Sequence, residues 1–170
     1  ADISFFKKID QMQTIGANVR YFSLGQMNYT DEIGNAVNTV RPNELAVSVA
    51  YARKLGKFVS MAINPKYIYS NLGTGSTTQG VTLRAGHAFA TDIAFSFRKP
   101  FEVKKKKMEF STGLVFSNIG TKIGYTNTAD KDYLPANLGL GFGYKIDLDQ
   151  HNSIEIGADF NKLLVPTPVS

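Results

Sequence analysis

The sequence predicts an all-β protein, a transmembrane antiparallel β-barrel, and three observations predict it. The first is alternation. In Asn137 to Phe160, Leu138, Leu140, Phe142, Tyr144 and Ile146 occupy every second position, with Gly139, Gly141, Gly143, Lys145 and Asp147 between them. Ile154, Ile156, Ala158 and Phe160 then alternate with Glu155, Gly157, Asp159 and Asn161. Successive side chains of an extended strand point to opposite faces, so each arm has one oily face and one small or polar face. The second is length: the first arm alternates over about ten residues, which is what a tilted strand needs to cross a bilayer. The third is the rhythm of the connections. Long polar stretches at 25–42, 70–80 and 118–135 alternate with shorter ones at 54–57, 99–107 and 148–152, the habit of outer-membrane barrels.

The strands follow in order. Ala1 to Gln11 mixes Ile3, Phe5, Phe6 and Ile9 with charges and reads as a strand end or a short amphipathic turn. Met12 to Leu24 is the first clear strand, with Ile15, Ala17, Val19 and Tyr21 on one face. Asn43 to Leu55 carries Leu45, Val47, Val49 and Tyr51, and Phe58 to Tyr69 returns after a turn at Gly56. Pro65 lies inside that strand; proline cannot donate to a ladder, so a bulge or bend is expected there. A fourth strand lies within Val81 to Arg98, and a fifth spans Met108 to Ser117 with Phe110, Leu114 and Phe116 on its oily face. The hairpin from Asn137 supplies the sixth and seventh. Tyr51, Tyr67, Tyr69 and Tyr144 lie near strand ends and suit an interfacial aromatic girdle.

The composition permits this reading without demanding it. The 170 residues are 43% hydrophobic, and no apolar run is long enough for a membrane-spanning helix. Half of each barrel strand is polar, so a mean hydropathy of -0.14 fits a membrane barrel as well as a soluble β protein. Cysteine is absent, which removes disulfides and thiolate metal sites. The net charge of +5 is partly local, with four lysines at Lys104 to Lys107. The ends, ADISFFKK and LVPTPVS, suggest a mature or partial chain. Seven antiparallel strands cannot close, because the first and last would run parallel. Either a strand is hidden in Ala1 to Gln11, or the chain is a piece of a larger barrel.

Several segments together carry a resemblance. NVRYFSLGQMNYTD (Asn18 to Asp31), RPNELAVSVAYARKL (Arg41 to Leu55), FSNIGTKIGYTN (Phe116 to Asn127), YLPANLGLGFGY (Tyr133 to Tyr144) and FNKLLVPTP (Phe160 to Pro168) resemble, in the same order, the PorV family. These are outer-membrane barrels of the type IX secretion system in Bacteroidetes, similar in turn to FadL-type transporters. The resemblance implies a fourteen-stranded barrel, of which seven strands would be half, in the bacterial outer membrane. It implies partners too: secreted proteins received at the translocon by their C-terminal signal domains, and a surface sortase and attachment complex to which they are carried. Outer-membrane lipid would surround the barrel. No residue of the family's motifs has a binding role to carry over, so the partner-binding residues are unassigned.

A search for chemistry leaves no catalytic, cofactor-binding or metal-binding residue assigned, and no enzyme is expected. An active site needs a nucleophile and a base, or a metal, within reach of each other. His87 and His151 are the only histidines; His87 and Asp92 have opposite strand parity. Asp147, Asp149 and His151 have metal-ligand types but read as a solvated hairpin turn. Gly73 to Ser76 lacks the lysine and helix of a phosphate loop, and GLGFG sits within a strand, not at the start of a helix. The lysine run at 104–107 has the charge to bind nucleic acid or anionic lipid, but it lacks a stacking surface for bases, so it reads as a solvated tip and no nucleic acid is expected as a partner. Arg20, Glu44, Lys66, Asp92, Glu109, Lys145, Glu155 and Asp159 would face a barrel lumen, where buried charges pair with one another or with a plug. The glycines at 139, 141 and 143 would leave room for such a plug. The long loops at 25–42 and 118–135 are the expected partner sites. Two rivals stand beside this reading: a FadL-like channel for hydrophobic small molecules, with an apolar path inside, and a soluble β-sandwich whose oily faces are buried in protein.

Overall fold

Each alternating segment becomes a strand, and each strand pairs with the next long one. The computed structural model describes residues 1–30, 33–34, 36–75, 77–78, 81–103, 106–126, 131–149 and 151–164. The main strands are β1 (Asp2–Lys8), β2 (Gln13–Ser23), β5 (Asn43–Lys54), β6 (Val59–Asn71), β9 (Gly86–Val103), β10 (Lys106–Gly120), β11 (Asn137–Asp147) and β12 (Ser153–Leu163). They form one eight-stranded antiparallel sheet in that order, an up-and-down meander. The count corrects the expectation of seven. The missing strand is the N-terminal one: β1 pairs with β2 from Asp2↔Arg20 to Lys8↔Thr14. An even count lets first and last strands run antiparallel, yet β1 and β12 are free edges of the sheet. The eight strands do not close into a barrel.

The connections also differ from expectation. The stretch 25–42 contains a hairpin, β3 (Met27–Thr30) against β4 (Ala36–Val40), and 70–80 leads into a smaller one, β7 (Thr77–Thr78) against β8 (Val81–Thr82). The supposed connection 99–107 is mostly strand: β9 runs to Val103, and Lys106 and Lys107 pair with Val103 and Glu102. Lys104 and Lys105 lie outside the described residues. Pro100 is tolerated because β6 ends its pairing with β9 at Val59↔Phe97, leaving that flank of β9 without a ladder.

Pro65 does not produce the expected bulge. Ser48↔Lys66 and Tyr51↔Ile63 keep one register across it, with only the pairs between them missing, while Pro65↔Thr91 pairs on the other side. The missing donor interrupts the ladder without displacing the strand. The bulge lies elsewhere, in β10 between Phe116 and Ile119. There Asn118 adopts φ 58°, a left-handed conformation that asparagine tolerates better than most residues.

The register assembles two unlike faces. Ile15, Tyr51, Ile63, Ile93, Phe116 and Leu138 stand side by side on six adjacent strands. On the opposite face the equivalent row is Ala52, Ala62, Ala94, Val115, Gly139 and Asn161. The apolar face is open: Leu140 is 37% exposed, Phe142 42%, Ile154 50% and Ile156 69%. A β-sandwich needs a second layer over these side chains, and among the described residues there is none. Among the described residues the buried side chains, such as Ser70, Ala88, Ala90, Ile123 and Val40, are on the small-residue face or in the loops near it. This inverts the usual soluble arrangement, in which large apolar side chains fill the interior.

Candidate functional site on the small-residue face

A part-buried polar cluster grows from the bulge. Insertion of one residue in β10 places the Asn118 amide against Asp92 of β9, whose Oδ1 accepts its N–H at 2.8 Å. Asp92 also holds Lys66 of β6: Lys66 Nζ lies 2.7 Å from Oδ1 and donates to Oδ2 at 2.8 Å. Asn64 Nδ2 donates to the same Oδ2 at 3.2 Å. Asn118 closes the set, its Oδ1 accepting from Lys66 Nζ at 2.8 Å. The Lys66 and Asp92 side chains are only 16% and 23% exposed, so each charge has the partner that partial burial demands.

The same asparagine reaches the following loop, donating from Nδ2 to the Pro135 carbonyl at 3.0 Å. The described residues between, 119–126 and 131–134, fold back over the small-residue face. Ile123 and Asp132 bridge through reciprocal backbone hydrogen bonds of 2.9 and 2.8 Å. The Tyr125 carbonyl accepts from Arg84 N at 2.7 Å. Tyr125 O–H donates to Ser70 Oγ at 3.1 Å, and Ser70 donates to Glu44 Oε1 at 3.0 Å. Room for this comes from Gly86: a Cβ there would lie 2.7 Å from Ile123 Cγ1 and 2.8 Å from Tyr125 Cε1. The described parts of the 118–135 loop therefore form a fixed flap, with Ile123 6% exposed and Ser70 2% exposed beneath it. Alternation could not reveal this. The only local signals were the left-handed tolerance of an asparagine and a glycine opposite two apolar loop residues.

The other polar-face residues largely pair among themselves. Arg20 meets Asp2 at 2.7 Å, Arg98 meets Glu109 at 3.3 Å, and Lys145 lies 3.6 Å from Asp147. The glycine row keeps part of the open space expected for a plug, and polar neighbours take up the rest. A Cβ on Gly141 would meet Asp159 Oδ1 at 2.5 Å, one on Gly143 would meet Ser111 Oγ at 2.6 Å, and one on Gly139 would meet Asn161 Oδ1 at 3.1 Å. The glycines let neighbouring polar side chains lie flat along the sheet. Gly139 and Gly141 themselves, with Gly113, Val115, Asp159 and Asn161, border an open concavity of about 400 Å³.

The histidines are far apart in role. His87 faces the apolar side, hydrogen-bonded through Nδ1 to the Tyr67 hydroxyl at 2.6 Å and edge-on to Tyr69, while Asp92 is on the other face. Asp147, Asp149 and His151 form a hairpin turn in which Asp149 Oδ1 accepts the N–H groups of His151 and Asn152, each at 2.8 Å. Asn152 Nδ2, 2.9 Å from Oδ2, and these two amides hold the Asp149 carboxyl below the usual carboxylate range. In the GTGS stretch, Asn71 Oδ1 caps the N–H groups of Gly73 and Thr74; Ser76 lies outside the described residues. The 25–42 loop touches the sheet through Leu24 N, which donates to the Pro42 carbonyl at 3.1 Å.

What this face offers is a set of ion pairs, an open concavity and a fixed flap. No curated protein matches the chain. The family model described as type IX secretion system protein PorV matches residues 1–170. That match covers the whole sequence; the chain belongs to the PorV family of type IX secretion system proteins.

Proposed function

We propose that the eight strands are part of the wall of an outer-membrane β-barrel that binds secreted proteins by their C-terminal signal domains. In this reading it carries them from the translocon to the surface sortase and attachment complex. The role is one of binding and transfer, not catalysis. The observation that carries the reading is the open apolar face, which runs across the whole sheet in a member of a secretion-system family. Water is a poor neighbour for so much exposed Leu, Ile and Phe, and hydrocarbon is a good one. Two aromatic groups bound the apolar band. Tyr67, Tyr69, His87 and Phe89 cluster at the long-loop end; Phe58 and Phe97, with Phe101 and Tyr144, cluster at the short-turn end. On β9, His87 and Phe97 are about 33 Å apart along the strand. At a tilt of about 45° that spans roughly 23 Å, near the height of a barrel's apolar band.

An edge strand in lipid leaves backbone groups unpaired at a cost of several kcal/mol each. The free edges of β1 and β12 are therefore satisfied by further strands, eight of the fourteen that the family resemblance implies being described. The long-loop end faces the cell surface, as in other outer-membrane barrels, and presents the β3–β4 hairpin and the flap to cargo.

Two measurements test this. Leu140→Arg, on the apolar face, is expected to cost about 2–4 kcal/mol of folding stability in a bilayer; unimpaired insertion would count against the membrane wall. Substitutions in the 25–42 loop and the flap are expected to weaken co-purification of signal-domain cargo or of the attachment complex. Unchanged recovery of both partners would overturn the carrier role.

A further inference from the structure

Resting on the membrane-wall reading, we propose that the short-turn rim of the apolar face is a binding site for the headgroups of anionic glycerophospholipids. Register sorts the charges at this end by face. Lys7, Arg53, Lys99 and Lys106 share the apolar face, opposite Ile15, Met61, Phe110 and Val103 respectively. Among the described strand residues of that face and end there is no carboxylate. The strand carboxylates of the same end, Glu102, Glu109, Asp147 and Glu155, have the opposite parity. Strand alternation alone would let either sign face either way, so the separation leaves a one-sign row where the apolar band stops.

The row has the layout a phospholipid needs. All four cations are exposed. Their long stems lie along apolar neighbours, so the charged heads can extend past the hydrocarbon edge to phosphate depth. Phe58 and Phe97 mark that edge, and Lys57 Nζ sits 5.3 Å from the Phe58 ring centroid. Beside Arg53, Tyr51, Leu55, Met61 and Ile63 line an apolar dimple of about 90 Å³, so a guanidinium and an acyl-chain surface adjoin. The nearest turn anions do not cancel the row. Asp10 and Asp149 are engaged by their own turns, Asp10 Oδ1 accepting from Met12 N at 2.6 Å and Gln13 N at 2.8 Å. Arg53 is close enough to help lower the Asp10 pKa, a minor influence beside those hydrogen bonds. The short-turn end faces the phospholipid leaflet of an outer membrane, where phosphatidylglycerol supplies the matching charge.

The test uses the closed barrel, these eight strands together with those that pair their free edges, in nanodiscs of phosphatidylcholine with or without phosphatidylglycerol, with retained lipid counted by native mass spectrometry. The expected result is a roughly fivefold or greater enrichment of phosphatidylglycerol over its share of the bilayer. The combined variant K7Q/R53Q/K99Q/K106Q should abolish it. The variant K8Q/K54Q/K107Q/K145Q removes the same charge from the opposite face and should retain it. No enrichment in wild-type chain that inserts normally, or equal loss in both variants, overturns the proposal and leaves the membrane reading intact. Failure of the closed barrel to insert into phosphatidylcholine bilayers overturns the membrane reading, and this proposal with it.

Discussion

The two ends of the sheet solve the problem of reversing a strand in opposite ways. At the short-turn end the first and last hairpins use one device. Ile9 N and Asp10 N donate to the Gln13 carbonyl at 2.9 and 3.4 Å; Leu148 N and Asp149 N donate to the Asn152 carbonyl at 2.9 and 3.3 Å. In both, the aspartate caps the amides two and three residues on, and Gln13 or Asn152 returns a side-chain hydrogen bond. Everything needed lies within five residues. At the long-loop end the chain spends many more residues, and order comes from afar: Asn118 to Lys66, Tyr125 to Ser70, Arg84 to Tyr125. A local turn has a small loop-closure cost and can be repeated; a folded flap needs several distant partners together to offset its ordering entropy. The end read here as facing cargo is the one whose shape depends on the whole sheet.

That contrast can be broken most forcefully at Gly120. A Cβ there would fall 2.1 Å from the Phe89 carbonyl oxygen and 2.6 Å from Ala90 Cα, backbone that cannot step aside. Gly120→Ala should cost about 3 kcal/mol in urea unfolding and strip the flap of its hinge to β9. Next comes Asp92→Ala, which leaves the Lys66 ammonium partly buried without its counter-ion and the Asn118 amide without an acceptor. A fully buried broken pair would cost more, but this one is partly exposed, so about 2 kcal/mol is expected. A double-mutant cycle with Lys66→Met should show coupling of about 1–2 kcal/mol; additivity would mean that the bulge, not the ion pair, holds the site.

A gentler substitution separates flap from sheet. Gly86→Val should displace Ile123 and Tyr125, with a loss of about 1 kcal/mol. Limited proteolysis should then cut within 121–135 while the strands resist; an uncut flap would mean that its other anchors suffice. The smallest effect belongs to the repeated turns. The Asp10 and Asp149 carboxyls are held below the ordinary carboxylate range by turn hydrogen bonds. The folded state thus binds their protons less tightly than the unfolded state. Their stabilisation is full above the unfolded carboxylate pKa and disappears as pH falls through the depressed folded value. Amide exchange in the two turns, corrected for intrinsic rates, should therefore accelerate at acid pH, with no matching change in the flap. Asp149→Ala should show that acceleration already at neutral pH.

Legibility in the sequence followed the range of the interactions. The β11–β12 hairpin was readable because its alternation is strict, and Leu140↔Phe160 and Tyr144↔Ile156 pair as the pattern requires. The first strand was ambiguous because Phe6 falls on the same face as Asp2 and Ser4, which breaks the alternation. Pro65 promised a bulge and gave only a gap, since pairing with β9 held the strand in line; Asn118 carried the bulge with no proline or glycine at its own position. Alternation places Lys66 and Asp92 on the polar face one at a time, whereas their meeting with Asn118 depends on the bulge and the register.

Alternation of side chains along an extended chain is a local property, so fold class, the two faces and most strands could be read directly from residue order. Which cation meets which carboxylate, and where a loop lies down, depends on register between strands far apart in sequence. Register is decided only when the strands assemble, which is why the flap over Ser70 and Gly86 and the one-sign row at the short-turn rim became visible only in the folded sheet.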